Sequence, residues 1–207
     1  MKKILIIINI NKDESMSLAI KISEYLKNRG FSVDFLSFDG FCDNTPFNDY
    51  LYVITLGGDG TVLYAARNCV EYEVPVFPIN FGEFGFIASI QPDEWQTILD
   101  KFLENKSEYI ERMMIKADLI RDGNVIKSDL GLNDVVISAK NTARTVSLVV
   151  KSNDELLCKL KSDGVIISTP TGSTAYSASA GGPIIEPMMD AFVFTPINSF
   201  SLSSRPI

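Results

Sequence analysis

Between Lys3 and about residue 105 the hydrophobic pattern changes period repeatedly, and that alternation constrains the chain more than any single motif. Residues 3–10 are a continuous β-prone run that reads as a buried first strand. Leu18, Ile22, Tyr25 and Leu26 then recur at helical spacing and stop at Asn28-Arg29-Gly30. Phe31, Val33 and Phe35 alternate as a second strand, and Leu51 to Leu56, bounded by Gly57-Gly58, is a third. The pattern predicts a helix from Thr61 to about Cys69 and a short strand from Val74 to Ile79. Beyond them an amphipathic helix begins near Pro92 and carries Trp95, Ile98, Leu99, Phe102 and Leu103 on one face. Alternating β and α units imply an open parallel sheet with helices on its faces.

After residue 108 the period changes. Segments near 109–120, 125–138, 145–151 and 155–168 are β-prone and short. Asp122-Gly123, Asn153-Asp154 and Asp163-Gly164 punctuate them and read as turns between strands. The expected fold class is therefore α/β: a Rossmann-like open sheet over residues 1–106, followed by a β-rich, sandwich-like region over 107–207. The boundary rests on the change of period alone, since no repeat, low-complexity tract or flexible linker marks it.

Composition narrows the chemistry. The chain has 207 residues, 46% of them apolar, enough to bury a core. Its formal net charge is −7 and its Lys and Arg do not cluster, which argues against a nucleic-acid partner. Small anions remain open to it, because backbone amides hold them regardless of net charge. There is no histidine. Ser-His and Cys-His nucleophiles and His-based metal sites are thereby excluded, and proton transfer falls to a carboxylate, Lys, Tyr or Cys. The apolar run behind Lys2-Lys3 is too short for a membrane span and lacks a small-residue cleavage site, so it reads as a strand and no membrane partner is expected. Cys42, Cys69 and Cys158 lie far apart and fit reduced thiols of a cytoplasmic protein.

Two stretches carry chemistry. Gly57-Gly58-Asp59-Gly60-Thr61 stands where an apolar strand ends and a helix begins. Three glycines in four residues let the backbone turn sharply and approach a ligand, and the helix start offers amides and a positive dipole end to phosphate. No Lys follows the last glycine, so this is not a P-loop. A tight strand-to-helix turn with Asp59 as N-cap is the alternative, although a carboxylate among phosphates needs a proton to accept or a metal to bind. The second stretch runs from Ser168 to Pro183, and within it Thr169 to Tyr176 is dense in hydroxyls and small side chains. Such a surface suits a ribose, an amide or a phosphate, or else a Ser/Thr-rich turn that caps a helix.

Together with Leu132-Asn133-Asp134 between them, these stretches resemble the NAD kinase family. Its members carry a GGDGT loop, a central Asn-Glu or Asn-Asp pair and a TPTGSTAYSxSAGGP block in that order. GGDGT alone is shared with diacylglycerol and sphingosine kinases, whereas the Thr-rich block is specific. The resemblance implies transfer of the γ-phosphoryl of ATP to the 2′-hydroxyl of the adenosine ribose of NAD, giving NADP. Mg²⁺ or another divalent cation would assist, and NAD would bind between the two regions. Asp59 would be the general base, and the backbone at Gly57, Gly58, Gly60 and Thr61 would face phosphate. Asp59, Gly60, Phe81, Asn133 and Asp134 would contact NAD. The same resemblance assigns NAD-binding positions to Arg144, Lys161 and Asp163, and to Thr174, Ala175, Tyr176, Ser177, Ala178 and Ser179, with Tyr176 offering a stacking face. For Arg144 and Lys161 the alternative is solvated surface charge. A homo-oligomer is also implied.

The frame Asn80-Phe81-Gly82-Glu83-Phe84-Gly85-Phe86 keeps the family pattern with Phe84 in place of Leu, and Phe200 stands where the family has His. Relatives continue beyond the position of Ile207, which implies a second region incomplete at its C-terminus. Two rival readings stand beside the kinase: a lipid kinase of the diacylglycerol type, and a non-catalytic NAD-binding module if truncation removes part of the site.

Overall fold

The computed structural model describes residues 2–40, 47–82, 85–104, 106, 109–141, 144–200 and 206–207. The chain forms two compact units, Met1–Ile110 and Glu111–Ile207.

The first unit runs β1 (Lys3–Asn9), α1 (Ser15–Lys27), β2 (Ser32–Phe38), β3 (Tyr50–Gly57), α2 (Asp59–Cys69), β4 (Val76–Asn80) and α3 (Trp95–Leu103). Its four strands are all parallel, in the order β2-β1-β3-β4. The apolar run of β1 is continuous because both faces are covered. Ile4, Ile6 and Ile8 pack with Leu18, Ile22 and Leu26 of α1 and Leu99 of α3, while Leu5 and Ile7 pack with Tyr64, Ala65 and Cys69 of α2. Each fully buried Ile or Leu contributes about 1.5–3 kcal/mol relative to exposure. At the rim, Tyr25 meets Trp95 edge-on with ring centroids 5.1 Å apart, and Arg29 pairs with Asp100 at 3.3 Å, fastening α1 to α3.

The last helix of this unit starts later than its sequence predicts. Pro92 sits upstream of α3 in a turn closed by the Glu94 N–H, which donates to the Gln91 carbonyl at 3.1 Å. Proline in the second position of a four-residue turn has its φ already set, so it serves the turn here rather than the first helical residue.

The second unit contains β5 (Ile115–Arg121), β6 (Asn124–Gly131), β7 (Asp134–Ser138), β8 (Val146–Ser152), β9 (Glu155–Ser162), β10 (Gly164–Ser168), α4 (Tyr176–Ser179) and β11 (Val193–Ile197). β5 and β6 form one hairpin, β8 and β9 another, and β11-β10-β7 an antiparallel sheet. Asp122-Gly123 and Asn153-Asp154 are two-residue hairpin turns with positive φ at all four residues. That is the backbone twist hairpins favour, and Asn, Asp and Gly tolerate it best.

Two of the sequence-predicted segments are divided. The run 125–138 breaks at Leu132-Asn133 into β6 and β7, and 155–168 breaks at Asp163 into β9 and β10. Asp163-Gly164 is therefore a crossing from one sheet to another, not a turn between paired strands: β9 pairs with β8, and β10 with β7 and β11. Gly164 serves close approach, since a Cβ there would lie 2.4 Å from the Ile137 carbonyl oxygen. Among the described residues no helix is long and apolar enough to cross a membrane.

Candidate functional site

In the first unit the strand order reverses between β1 and β3, and open α/β sheets bind ligands in the crevice beyond the carboxyl ends of their strands at such a reversal. β1 ends there at Asn9, β3 ends at Gly57, and α2 begins at Asp59. Gly57 is buried, and a Cβ on it would lie 2.2 Å from Thr61 Oγ1 and 3.1 Å from Asn9 Cβ, so the tight turn excludes any larger residue. Gly58 and Gly60 have open space where a Cβ would go, leaving their backbone approachable. Thr61 is turned inward instead: it is buried, and its hydroxyl accepts from Asn9 Nδ2 at 3.4 Å. Its side chain is a link between α2 and β1, which leaves its place in a phosphate cradle to the backbone.

Asp59 does not cap α2. Gly58 occupies the cap position without a side-chain bond, and the Asp59 carboxylate reaches across to accept the backbone N–H groups of Phe86, Ile87 and Ala88 at 3.0, 3.1 and 3.0 Å. Phe81, half-buried against the core, donates its N–H to the Gly57 carbonyl at 2.9 Å and so ties the exit of β4 to the glycine turn. Glu83 and Phe84 lie outside the described residues.

In the second unit β7 begins at Asp134, and β10, its antiparallel neighbour, ends at Ser168 directly opposite. That register brings Asn133-Asp134 and the Thr-rich block together. The Thr169 N–H donates to the Asn133 carbonyl at 2.8 Å, and the Thr169 hydroxyl donates to the Leu132 carbonyl at 2.5 Å while accepting the Gly172 N–H at 3.1 Å. Gly172 lies so close that a Cβ would be 2.1 Å from the Asn133 carbonyl oxygen. Asn133 Oδ1 is buried with no hydrogen-bond partner among the described residues. Leaving such an acceptor unmet costs about 1–3 kcal/mol, a cost that a donor on a ligand would remove. Burial raises the Asp134 carboxyl above the usual carboxylate range.

The rest of the block divides by exposure. Tyr176 and Ser179 are exposed on α4, and Thr174, Ala175 and Ala178 are half-buried. Ser177 is fully buried, with its hydroxyl 2.8 Å from that of Thr195 on β11, so its side chain belongs to the packing of the block. Asp163 accepts from Asn198 Nδ2 at 3.0 Å. Lys161 is exposed with its ammonium 5.9 Å from the centre of the Phe200 ring, and Arg144 is exposed and makes no ion pair among the described residues. The described residues include no cluster of three or more carboxylates or thiols that would hold a metal by themselves. Cys69 is buried and its thiol is pushed up to about 12 by that burial, which leaves it inert, and Cys42 lies outside the described residues.

Known proteins share the sequence pattern and the fold. The ATP-NAD kinase N-terminal domain model matches residues 41–108 and the C-terminal domain model matches residues 132–207. An NAD kinase of Treponema denticola is 43% identical over 208 aligned positions, covering 100% of this chain and 73% of the relative. The chain belongs to the NAD kinase family. Two solved structures share its fold at 24% identity: an NAD kinase from Archaeoglobus fulgidus in complex with ATP, with a TM-score of 0.78 over 100% of this chain and 76% of that one, and a yeast NADH kinase complexed with NADH, with a TM-score of 0.84 over 100% and 65%. NAD kinase membership, carried in part by the very region that holds the Thr-rich block, sets aside the lipid kinase reading.

Two side chains at these sites escaped the sequence reading. Asn9 ends the apolar run of β1, and a polar residue at the carboxyl end of the first strand of an open sheet was a usable signal. Arg112 donates to the buried Thr171 hydroxyl at 3.2 Å, and nothing in its sequence neighbourhood announced that.

Proposed function

We propose that this NAD kinase family chain transfers the γ-phosphoryl group of ATP to the 2′-hydroxyl of the adenosine ribose of NAD, giving NADP and ADP. Asp59 carries the reading: it is a carboxylate in the first turn of α2, at the point where the strand order reverses, in a protein without histidine. As the ribose oxygen bonds to the γ-phosphorus and the bond to the β-phosphate oxygen breaks, Asp59 accepts the hydroxyl proton. Phosphoryl transfer is otherwise mostly positioning and charge stabilisation. The open backbone at Gly58 and Gly60 and the dipole end of α2 suit the phosphates. Asn133 Oδ1 offers an acceptor to a ribose hydroxyl, and the exposed ring of Tyr176 offers a stacking face. A divalent cation, Mg²⁺ first among them, enters with the triphosphate as part of the substrate, because Mg²⁺ needs only one or two carboxylates beside phosphate oxygens.

Replacing Asp59 tests this. Asp59→Asn leaves NAD affinity within a few-fold and lowers turnover by roughly 10²-fold or more, the range for loss of a general base. Unchanged turnover removes Asp59 from the mechanism. The family resemblance also supports a homo-oligomer, which light scattering on the purified chain would check, and the widely spaced cysteines fit a cytoplasmic protein.

A further inference from the structure

Asp59 is gripped more completely than proton transfer alone requires. Oδ2 accepts the Phe86 N–H at 3.0 Å, and Oδ1 accepts those of Ile87 at 3.1 Å and Ala88 at 3.0 Å. Three consecutive amides converging on one anion form a backbone nest. An ionised carboxylate has about four acceptor sites, so the nest leaves one, on Oδ2. Resting on the assignment of Asp59 as proton acceptor, we propose that Gly85–Ala88 is a positioning clamp that fixes the Asp59 carboxylate with a single acceptor direction left for the substrate hydroxyl.

The clamp is anchored on β4, the strand paired with the one that ends in the glycine turn. The segment leaves β4 at Asn80, whose buried carboxamide accepts the Gly82 N–H at 2.8 Å and donates to the Gly82 carbonyl at 3.2 Å. It returns beside β4 at Ile90, whose carbonyl accepts the Asn80 N–H at 2.8 Å. Between these anchors the backbone folds so closely at Gly85 that a Cβ would lie 2.3 Å from the Ala88 carbonyl oxygen and 3.1 Å from Asn80 Nδ2. A side chain at position 85 therefore forces the segment to move. Free of the amides, the Asp59 side chain would sample several staggered rotamers, and a general base must stay within hydrogen-bond reach of its proton. A misplacement of about 1 Å can cost about 10²-fold in rate.

The test pairs kinetics with amide exchange on the full chain. Gly85→Ala is expected to lower kcat by about tenfold or more while KM for NAD stays within about threefold, because orientation of the base acts on the reaction and not on dinucleotide affinity. In hydrogen–deuterium exchange, Asp59→Asn is expected to speed exchange at Phe86, Ile87 and Ala88, since an amide side chain offers one oxygen where the carboxylate offers two. Loss of turnover in Asp59→Asn beside full turnover in Gly85→Ala would overturn the clamp and spare the general base. Full turnover in Asp59→Asn would overturn both. Should Gly85→Ala fail to fold, exchange decides: equal rates at residues 86–88 in the parent and Asp59→Asn chains overturn the clamp, and faster rates in Asp59→Asn support it.

Discussion

The two units carry their sites on different scaffolds. In the first, β1 is buried along nearly its whole length on both faces, and the site follows from the topology of the sheet, because a parallel order that reverses leaves a crevice at the strand ends. In the second, six of the eight residues of β6 are exposed, and two-stranded hairpins make up much of the structure. There the site is held by backbone bonds and by contact too close for a side chain, as at Thr169 and Gly172 against Leu132-Asn133. Backbone bonds and close glycine contacts finish both sites, so the difference lies in what carries them: a buried parallel sheet in the first unit, and a unit with exposed hairpins in the second.

That contrast can be broken by substitution, and the largest effect should come from the first unit. Ile54→Ala, at a fully buried position of β3, is expected to cost about 2–5 kcal/mol in urea unfolding, whereas Ile126→Ala on β6, where the side chain is exposed, should stay within about 0.5 kcal/mol. Equal costs would show that the hairpin face is packed in solution. Next comes Asn133→Ala, which should raise KM for NAD by roughly fivefold, the worth of about one neutral hydrogen bond, and leave KM for the donor nearly unchanged. Matching changes in both constants would assign Asn133 to folding instead.

The smallest effect concerns Asp134. Its carboxyl is raised by burial, so the folded chain holds that proton more tightly than the unfolded chain does. The associated stability is full below the ordinary value of 3.8 and is lost as pH rises through the raised folded value. Asp134→Asn should therefore raise Tm at pH 7 and bring no gain near pH 3, as thermal unfolding at the two pH values would show. A gain of equal size at both would mean that ionisation of Asp134 is not what costs stability.

What could be read from the sequence follows the same division. Continuous apolar runs and helical spacing located β1, β3 and α2, since a sheet covered on both sides leaves a strong hydrophobic signature. The paired turns at Asp122-Gly123 and Asn153-Asp154 were legible because left-handed backbone selects few residue types. Contacts between distant segments were not. The breaks at Leu132-Asn133 and Asp163 lie inside β-prone runs, and the grip of residues 86–88 on Asp59 depends on backbone amides, which every sequence possesses. The GGDGT loop announced a tight strand-to-helix turn, yet its composition alone kept Asp59 open between cap and base, and only the geometry ruled out the cap.

One assay bears most directly on the central claim. The purified 207-residue chain, incubated with NAD, ATP and Mg²⁺, should form NADP and ADP in equal amounts, and the Asp59→Asn chain should form them roughly 10²-fold more slowly or less. NAD binding without NADP formation, or ADP release with no phosphorylated dinucleotide, would contradict it.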